Sequence, residues 1–128
     1  MTQKGERLQT AMQLWILGDY FRVESLCEEV EDFLDGCIVP SILESAREND
    51  LSVDLKDWVA AGRLVYDAFP GTISHNLRDT FLTITLGYPE LRKPTLQTPE
   101  FKALCLEYRD FGSDSMLKLL EDGIIVPQ

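Results

Sequence analysis

Residues 14–34, LWILGDYFRVESLCEEVEDFL, decide how this chain is read. From Val23 onward the apolar residues fall at Val23, Leu26, Cys27, Val30, Phe33 and Leu34, the recurrence of one helix face. Glu24, Glu28, Glu29, Glu31, Asp32 and Asp35 fill the other face, and Gly36 is a natural C-terminal stop. Upstream, Leu8, Met12, Trp15 and Tyr20 start a first stripe. Leu14, Trp15, Ile16 and Leu17 then make a stretch that is apolar all round, which predicts a buried helix. Gly18 stands within or at the end of that helix. Glycine there costs about 1 kcal/mol relative to alanine, and it fits if a neighbouring helix crosses closely.

Outward from this stretch the pattern stays helical. Pro40 suits the first position of a short third helix reaching to about Glu48, followed by a turn at Asn49-Asp50. Asp54 is a candidate N-cap for a fourth helix, with Asp57 in its first turn to complement the dipole. Leu55, Trp58, Val59, Gly62, Val65, Tyr66 and Phe69 keep helical spacing until Pro70-Gly71 ends it. Ser74 can cap a fifth helix from about His75 to Leu86. The second half of that segment, TFLTITLG, is rich in β-branched residues and also fits a strand. With no partner strand elsewhere, the helix is the reading kept. Gly87, Pro89 and Pro94 predict a loop over 87–97. Thr98-Pro99-Glu100 opens a helix carrying Phe101, Leu104, Cys105 and Tyr108, with a break at Phe111-Gly112. Ser113 caps a last helix through Leu120, stopped by Asp122-Gly123. The apolar tail 124–128 either packs as a short extended segment or marks where a longer chain was cut.

The chain has 128 residues and a net charge of −10, with a pI near 4.4. One domain of this length buries roughly two thirds of its unfolded surface. Its acidity repels phosphate backbones and anionic membranes alike, so direct nucleic-acid or membrane binding is not expected. Either the charge keeps the domain soluble, or it steers in a partner with a basic patch. Cys27, Cys37 and Cys105 are an odd count without paired spacing, and they predict reduced thiols in an intracellular compartment, nucleus or cytoplasm. No run nears the ~18 apolar residues of a membrane span. The N-terminus shows no apolar segment of a secretory signal.

Chemistry is sparse. His75, the single histidine, follows Ser74 directly, and adjacent residues do not make a catalytic pair; a capping or surface role fits it better. Glu28, Asp32 and Asp35 share one helix face, but hard cations want oxygens converging from several directions, so a solvated face is the reading. No glycine pattern reads as a phosphate cradle. Cys27 and Cys105 lie on apolar stripes as structural thiols, while Cys37 is the one thiol to test for reactivity. No catalytic residue, cofactor site or metal site is assigned. Trp15 and Trp58 fall on core stripes.

A family resemblance rests on named positions. Leu17, Gly18, Asp19 and Phe21, then Val23 and Leu26, resemble the helical hairpin near the C-terminal end of a BTB/POZ domain. There an apolar helix ends in an Ala-Asp-x-Tyr-like step and re-enters at Ile/Val-x-x-Leu. Residues 60–66, AAGRLVY, resemble the Ile/Val-x-x-Val-Tyr helix after that hairpin in many filamentous-fungal BTB proteins, and Leu77-Arg78 resembles the Leu-Arg pair that follows. The downstream region is similar to a BACK-type extension, so the likeness covers about residues 10–86. The strands that open a BTB domain are missing, so BTB dimerisation is not carried over and homo-oligomerisation stays open. Either a preceding portion is absent or the chain has shed its sheet.

The expectation is therefore an all-α bundle of six or seven helices in a single domain over 1–128. It has a hairpin at 8–36, a helical extension at 40–122 and no BTB sheet. Leu17, Val23, Leu26, Val30, Trp58, Val65 and Tyr66 are expected in its core. The function implied is non-enzymatic protein interaction, as a BTB/BACK-like adaptor or scaffold. Glu28, Glu31 and Asp35 form the candidate partner surface. By resemblance the candidate partners include a cullin-type ubiquitin-ligase scaffold, although the sequence carries no cullin-binding signature. The acidic surface favours instead a tether within a nuclear or chromatin-associated complex, recognising a basic or helical segment. A small enzyme is the remaining class and would need a convergent pocket of shifted titratable groups.

Overall fold

The computed structural model describes residues 6–48, 52–68 and 75–123, and among these every regular element is helical. In order they are α1 (Arg7–Tyr20), α2 (Glu24–Phe33), a π-helical turn (Leu34–Ile38), α3 (Val39–Arg47), α4 (Ser52–Ala68), α5 (His75–Leu86), α6 (Pro89–Leu96), α7 (Pro99–Glu107) and α8 (Arg109–Glu121). Because the π turn joins α2 to α3 without a break, the continuous helical stretches among the described residues number seven. The expected all-α bundle with an N-terminal hairpin is what forms.

The hairpin closes through a Schellman turn. Arg22 takes the left-handed conformation, φ 58°. The Val23 N–H donates to the Gly18 carbonyl at 2.7 Å and the Arg22 N–H to the Asp19 carbonyl at 3.1 Å. Glycine usually occupies that position because a Cβ is strained there. Gly18 lies inside α1 and is buried. A Cβ on it would sit 3.0 Å from Cys27 Sγ and 3.4 Å from Leu26 Cβ. The close crossing anticipated for Gly18 is thus the crossing of α2.

A second interaction sets α1 on α4. The Leu8 N–H donates to Asp57 Oδ2 at 2.7 Å and the Gln9 N–H to Oδ1 at 2.8 Å. Glu6, the local N-cap residue, makes no side-chain cap. Asp57 therefore caps a helix 49 residues away, in addition to lying early in its own. Its expected dipole role misses this contact, because capping across the fold leaves no local spacing to read.

Packing around α4 is aromatic. Trp58 stacks on Phe81 and Phe101 with ring centroids 5.6 and 6.4 Å apart, and meets Phe111 edge-on at 6.0 Å. The Trp58 indole N–H donates to Thr85 Oγ1 at 2.8 Å, and that hydroxyl donates to the Phe81 carbonyl. Tyr66 donates its hydroxyl proton to Asp114 at 2.8 Å, and the Arg78 guanidinium lies 4.6 Å over its ring. Gly62 lets α4, α5 and α7 meet, since a Cβ there would fall 2.8 Å from Leu104 Cδ2 and 2.9 Å from Phe81 Cζ.

Several expectations are corrected. Gly36 does not stop the helix: the Val39 N–H donates to the Leu34 carbonyl, an i→i−5 bond, and the chain continues as a π turn into α3. Pro40 has no N–H for the Gly36 carbonyl, and a wider turn just upstream accommodates that without a break. The loop over 87–97 is instead α6. Pro89 is tolerated at its start, and Pro94 costs it one hydrogen bond, the one that Glu90 would accept. The break falls at Tyr108, a single extended residue between α7 and α8, so Phe111, Gly112 and Ser113 lie within α8. Gly123, φ 73°, does end α8.

Among the core expectations, Val30, Trp58, Val65 and Tyr66 are buried and Leu26 is half-buried. Leu17 and Val23 are exposed at 50 % and 43 %, because α4 covers the opposite face of α1 and Val23 sits at the hairpin turn. The expected ends at Pro70-Gly71 and Ser74, and the side chains of Asp54 and His75, lie outside the described residues.

Three substitutions have defined stability outcomes. Asp57→Ala leaves two helix N–H groups without their acceptor and should cost about 1–3 kcal/mol in urea denaturation. Loss below a few tenths would show the cap to be dispensable. Gly62→Ala should destabilise by about 1–3 kcal/mol through overpacking. Gly36→Ala, with nothing within 4 Å of the new Cβ, should instead stabilise by about 0.5–1 kcal/mol. Equal signs for the two would contradict the packing described.

Candidate functional site on the hairpin

The hairpin is antiparallel, so α1 and α2 run side by side and leave a furrow along each flank of α2. One furrow is apolar. Thr10, Ala11 and Leu14 form its α1 wall and Leu26, Val30 and Phe33 its α2 wall, with Arg7, Glu29 and Cys37 at its edges. It is an open groove of about 700 Å³. Leu14 and Phe33 are 41 % and 47 % exposed. Leu17 and Phe21, further along the Leu14 face at helical spacing, are also exposed and prolong the apolar stripe toward the turn.

The geometry follows from the sequence period. On α2 the positions 26, 29, 30 and 33 recur every three or four residues, so one flank collects Leu26, Glu29, Val30 and Phe33. Val30 points far enough inward to be buried. Phe33, which fits the core stripe by spacing alone, is left facing the groove because the helix is amphipathic over a wider arc than α1 can cover.

The other furrow is acidic. Glu24, Glu28 and Glu31 line it from α2, with Asp19 and Arg22 from the turn, around a floor of Trp15, Gly18 and Cys27; its volume is about 350 Å³. The Trp15 indole N–H donates to Glu31 Oε1 at 3.4 Å. Burial, then the carboxylates of Asp19, Glu31, Glu24 and Glu28, push the Cys27 thiol above its ordinary range. Burial also raises Cys105.

Of the three acids proposed as a partner surface, Glu28 and Glu31 share this cleft. Asp35 is exposed on the π turn and does not line it. The apolar groove itself escapes the sequence reading, which assigns Leu14 to a buried patch and Phe33 to the core stripe. The residues it misses are Leu14, Phe33, Glu29 and the groove position of Cys37. Leu106, Met116 and Leu117 are other exposed apolar side chains, on α7 and α8, and none lines this groove.

Among the described residues no three His, Cys, Asp or Glu side chains gather to hold a metal ion. None of the described helices is long and apolar enough to cross a membrane. No family model, no curated protein and no solved structure matches the chain.

Thiol labelling checks the site geometry. Cys37 is exposed, whereas Cys27 and Cys105 are half-buried with raised pKa values and so carry less thiolate at mild pH. A maleimide at neutral pH should modify Cys37 first, and the other two should catch up as the pH rises. Early modification of Cys27 would contradict the packing of α2 on α1.

Proposed function

We propose that this chain is a non-enzymatic protein-interaction module that works through the outer face of the α1–α2 hairpin. The observation that carries this reading is the open groove with Leu14 and Phe33 exposed in its walls and Leu17 and Phe21 continuing it. Contiguous apolar surface around a concave site, on helices anchored to a core, is what a protein partner covers. The titratable groups at the groove are Arg7, Glu29 and Cys37. They form no nucleophile–base–acid arrangement.

Within this reading the partner class has two candidates. A BTB/BACK-like adaptor contacting a cullin-type scaffold is supported by the hairpin and by residues 60–66 and 77–78. Of these, Tyr66, Leu77 and Arg78 are buried, with Arg78 over the Tyr66 ring. A subunit that tethers a nuclear or chromatin-associated complex is supported by the acidic flank of the same hairpin, Glu24, Glu28 and Glu31.

Affinity purification of the tagged chain from its own cells, beside a Leu14→Ser/Phe33→Ser double variant, tests the proposal. The two side chains are 41 % and 47 % exposed, so the variant should stay folded at a cost of about 1–3 kcal/mol and lose the partners recovered with the wild type. Cullin-ligase components among the lost partners favour the adaptor; chromatin-associated subunits favour the tether. An unchanged partner set would remove the hairpin from the account.

A further inference from the structure

Resting on the interaction-module reading, we propose that the groove between α1 and α2 takes one occupant: a basic amphipathic α-helix of a partner protein. Shape, backbone chemistry and charge point the same way.

The groove lies between two antiparallel helices with Ala11 and Leu14 in its α1 wall, and the same helix face continues beyond it through exposed Leu17 to Phe21 at the C-cap. That is about 15 Å of helix axis, three turns. A third helix lying in such a furrow presents apolar residues at i, i+3, i+4 and i+7. An extended peptide would fit worse. Among the described residues no strand offers an edge to pair with, so its N–H and C=O groups would be left on an apolar floor, whereas a helix satisfies its own.

Charge selects the kind of helix. Between Arg7 and Ile38 the hairpin carries seven acids, Asp19, Glu24, Glu28, Glu29, Glu31, Asp32 and Asp35, against Arg7 and Arg22, a net of −5. Glu29 and Arg7 stand at the groove's edges, and Asp32, the next acid along α2 after Glu31, is exposed beside it. Lysines or arginines flanking the apolar stripe of an incoming helix meet these carboxylates. A second copy of this chain is disfavoured, because it would bring another −10 against the same face.

The test uses the full chain and a fluorescent leucine–lysine peptide of about 18 residues with its leucines at i, i+3, i+4 and i+7. Its companions are a leucine–glutamate peptide of the same pattern and a scrambled leucine–lysine peptide. By anisotropy the patterned lysine peptide should bind one-to-one, and the other two at least about tenfold more weakly. Leu14→Ser/Phe33→Ser and Glu29→Lys/Asp32→Lys should each weaken binding by about tenfold, and Glu28→Lys/Glu31→Lys, on the far flank, by less than about threefold. Equal binding of the scrambled peptide, or no effect of the Leu14 and Phe33 changes, would overturn the proposal in favour of diffuse charge attraction. Sedimentation as a dimer that Leu14→Ser/Phe33→Ser dissolves would overturn it in favour of a second copy. If the peptide fails while that double variant still loses its cellular partners, the helix occupant is wrong and the module reading stands. If the variant keeps those partners, the module reading falls whatever the peptide does.

Discussion

Asp57 holds the molecule's two halves in register. Its carboxylate accepts from the N–H groups of Leu8 and Gln9, which lie 49 and 48 residues earlier in the chain. The first N–H groups of a helix have no partner within it, and Glu6 supplies none through its side chain. Charge-assisted bonds from a buried carboxylate are stronger and more directional than apolar contact. They fix where along α4 the helix α1 begins. With that end pinned, Leu8, Ala11, Met12 and Trp15 are turned into the core, and the face carrying Leu14, Leu17 and Phe21 is turned out.

Everything on the hairpin surface inherits this arrangement. α2 is set on α1 by the Schellman turn at Arg22 and by the close approach at Gly18. The furrows on its two flanks are consequences of those contacts. One is apolar because Phe33 lies beyond the arc that α1 covers and Leu26 beside Gly18 is only half-buried; the other is acidic because Glu24, Glu28 and Glu31 share a flank. A surface held this way binds without much ordering cost, which is what a recognition site on rigid elements gains over one on loops.

The fold class was legible because helical periodicity is a local signal, and so were Thr98, which caps α7 by accepting the Phe101 N–H at 3.2 Å, and the α5 span of His75–Leu86. Local signals misled where tertiary packing overrode them. Gly36 and Gly112 read as stops, yet a glycine typically ends a helix by turning to positive φ, as Gly123 does, and α8 runs straight through Gly112, where a Cβ would meet Cys105 at ordinary contact distance. Pro89 and Pro94 read as a loop, yet they fall where a short helix loses little from a missing N–H. The groove was less legible than the fold. Whether Leu17 or Phe33 faces core or solvent depends on which flank α4 covers, and that is set by Asp57, whose capping contact spans the chain. The acids Glu28 and Glu31 were readable as an exposed face, but their separation from the groove by the breadth of α2 was not.

Residue-resolved amide hydrogen exchange on the free chain tests the central claim most directly, that α1 is locked to α4 at its N-terminal end while its outer face stays open. The account predicts that the amides of Leu8 and Gln9 are protected as strongly as the middle of α4 and exchange only with global unfolding. Exchange of α1 and α2 as a separate unit, well ahead of α4 and α5, would contradict it.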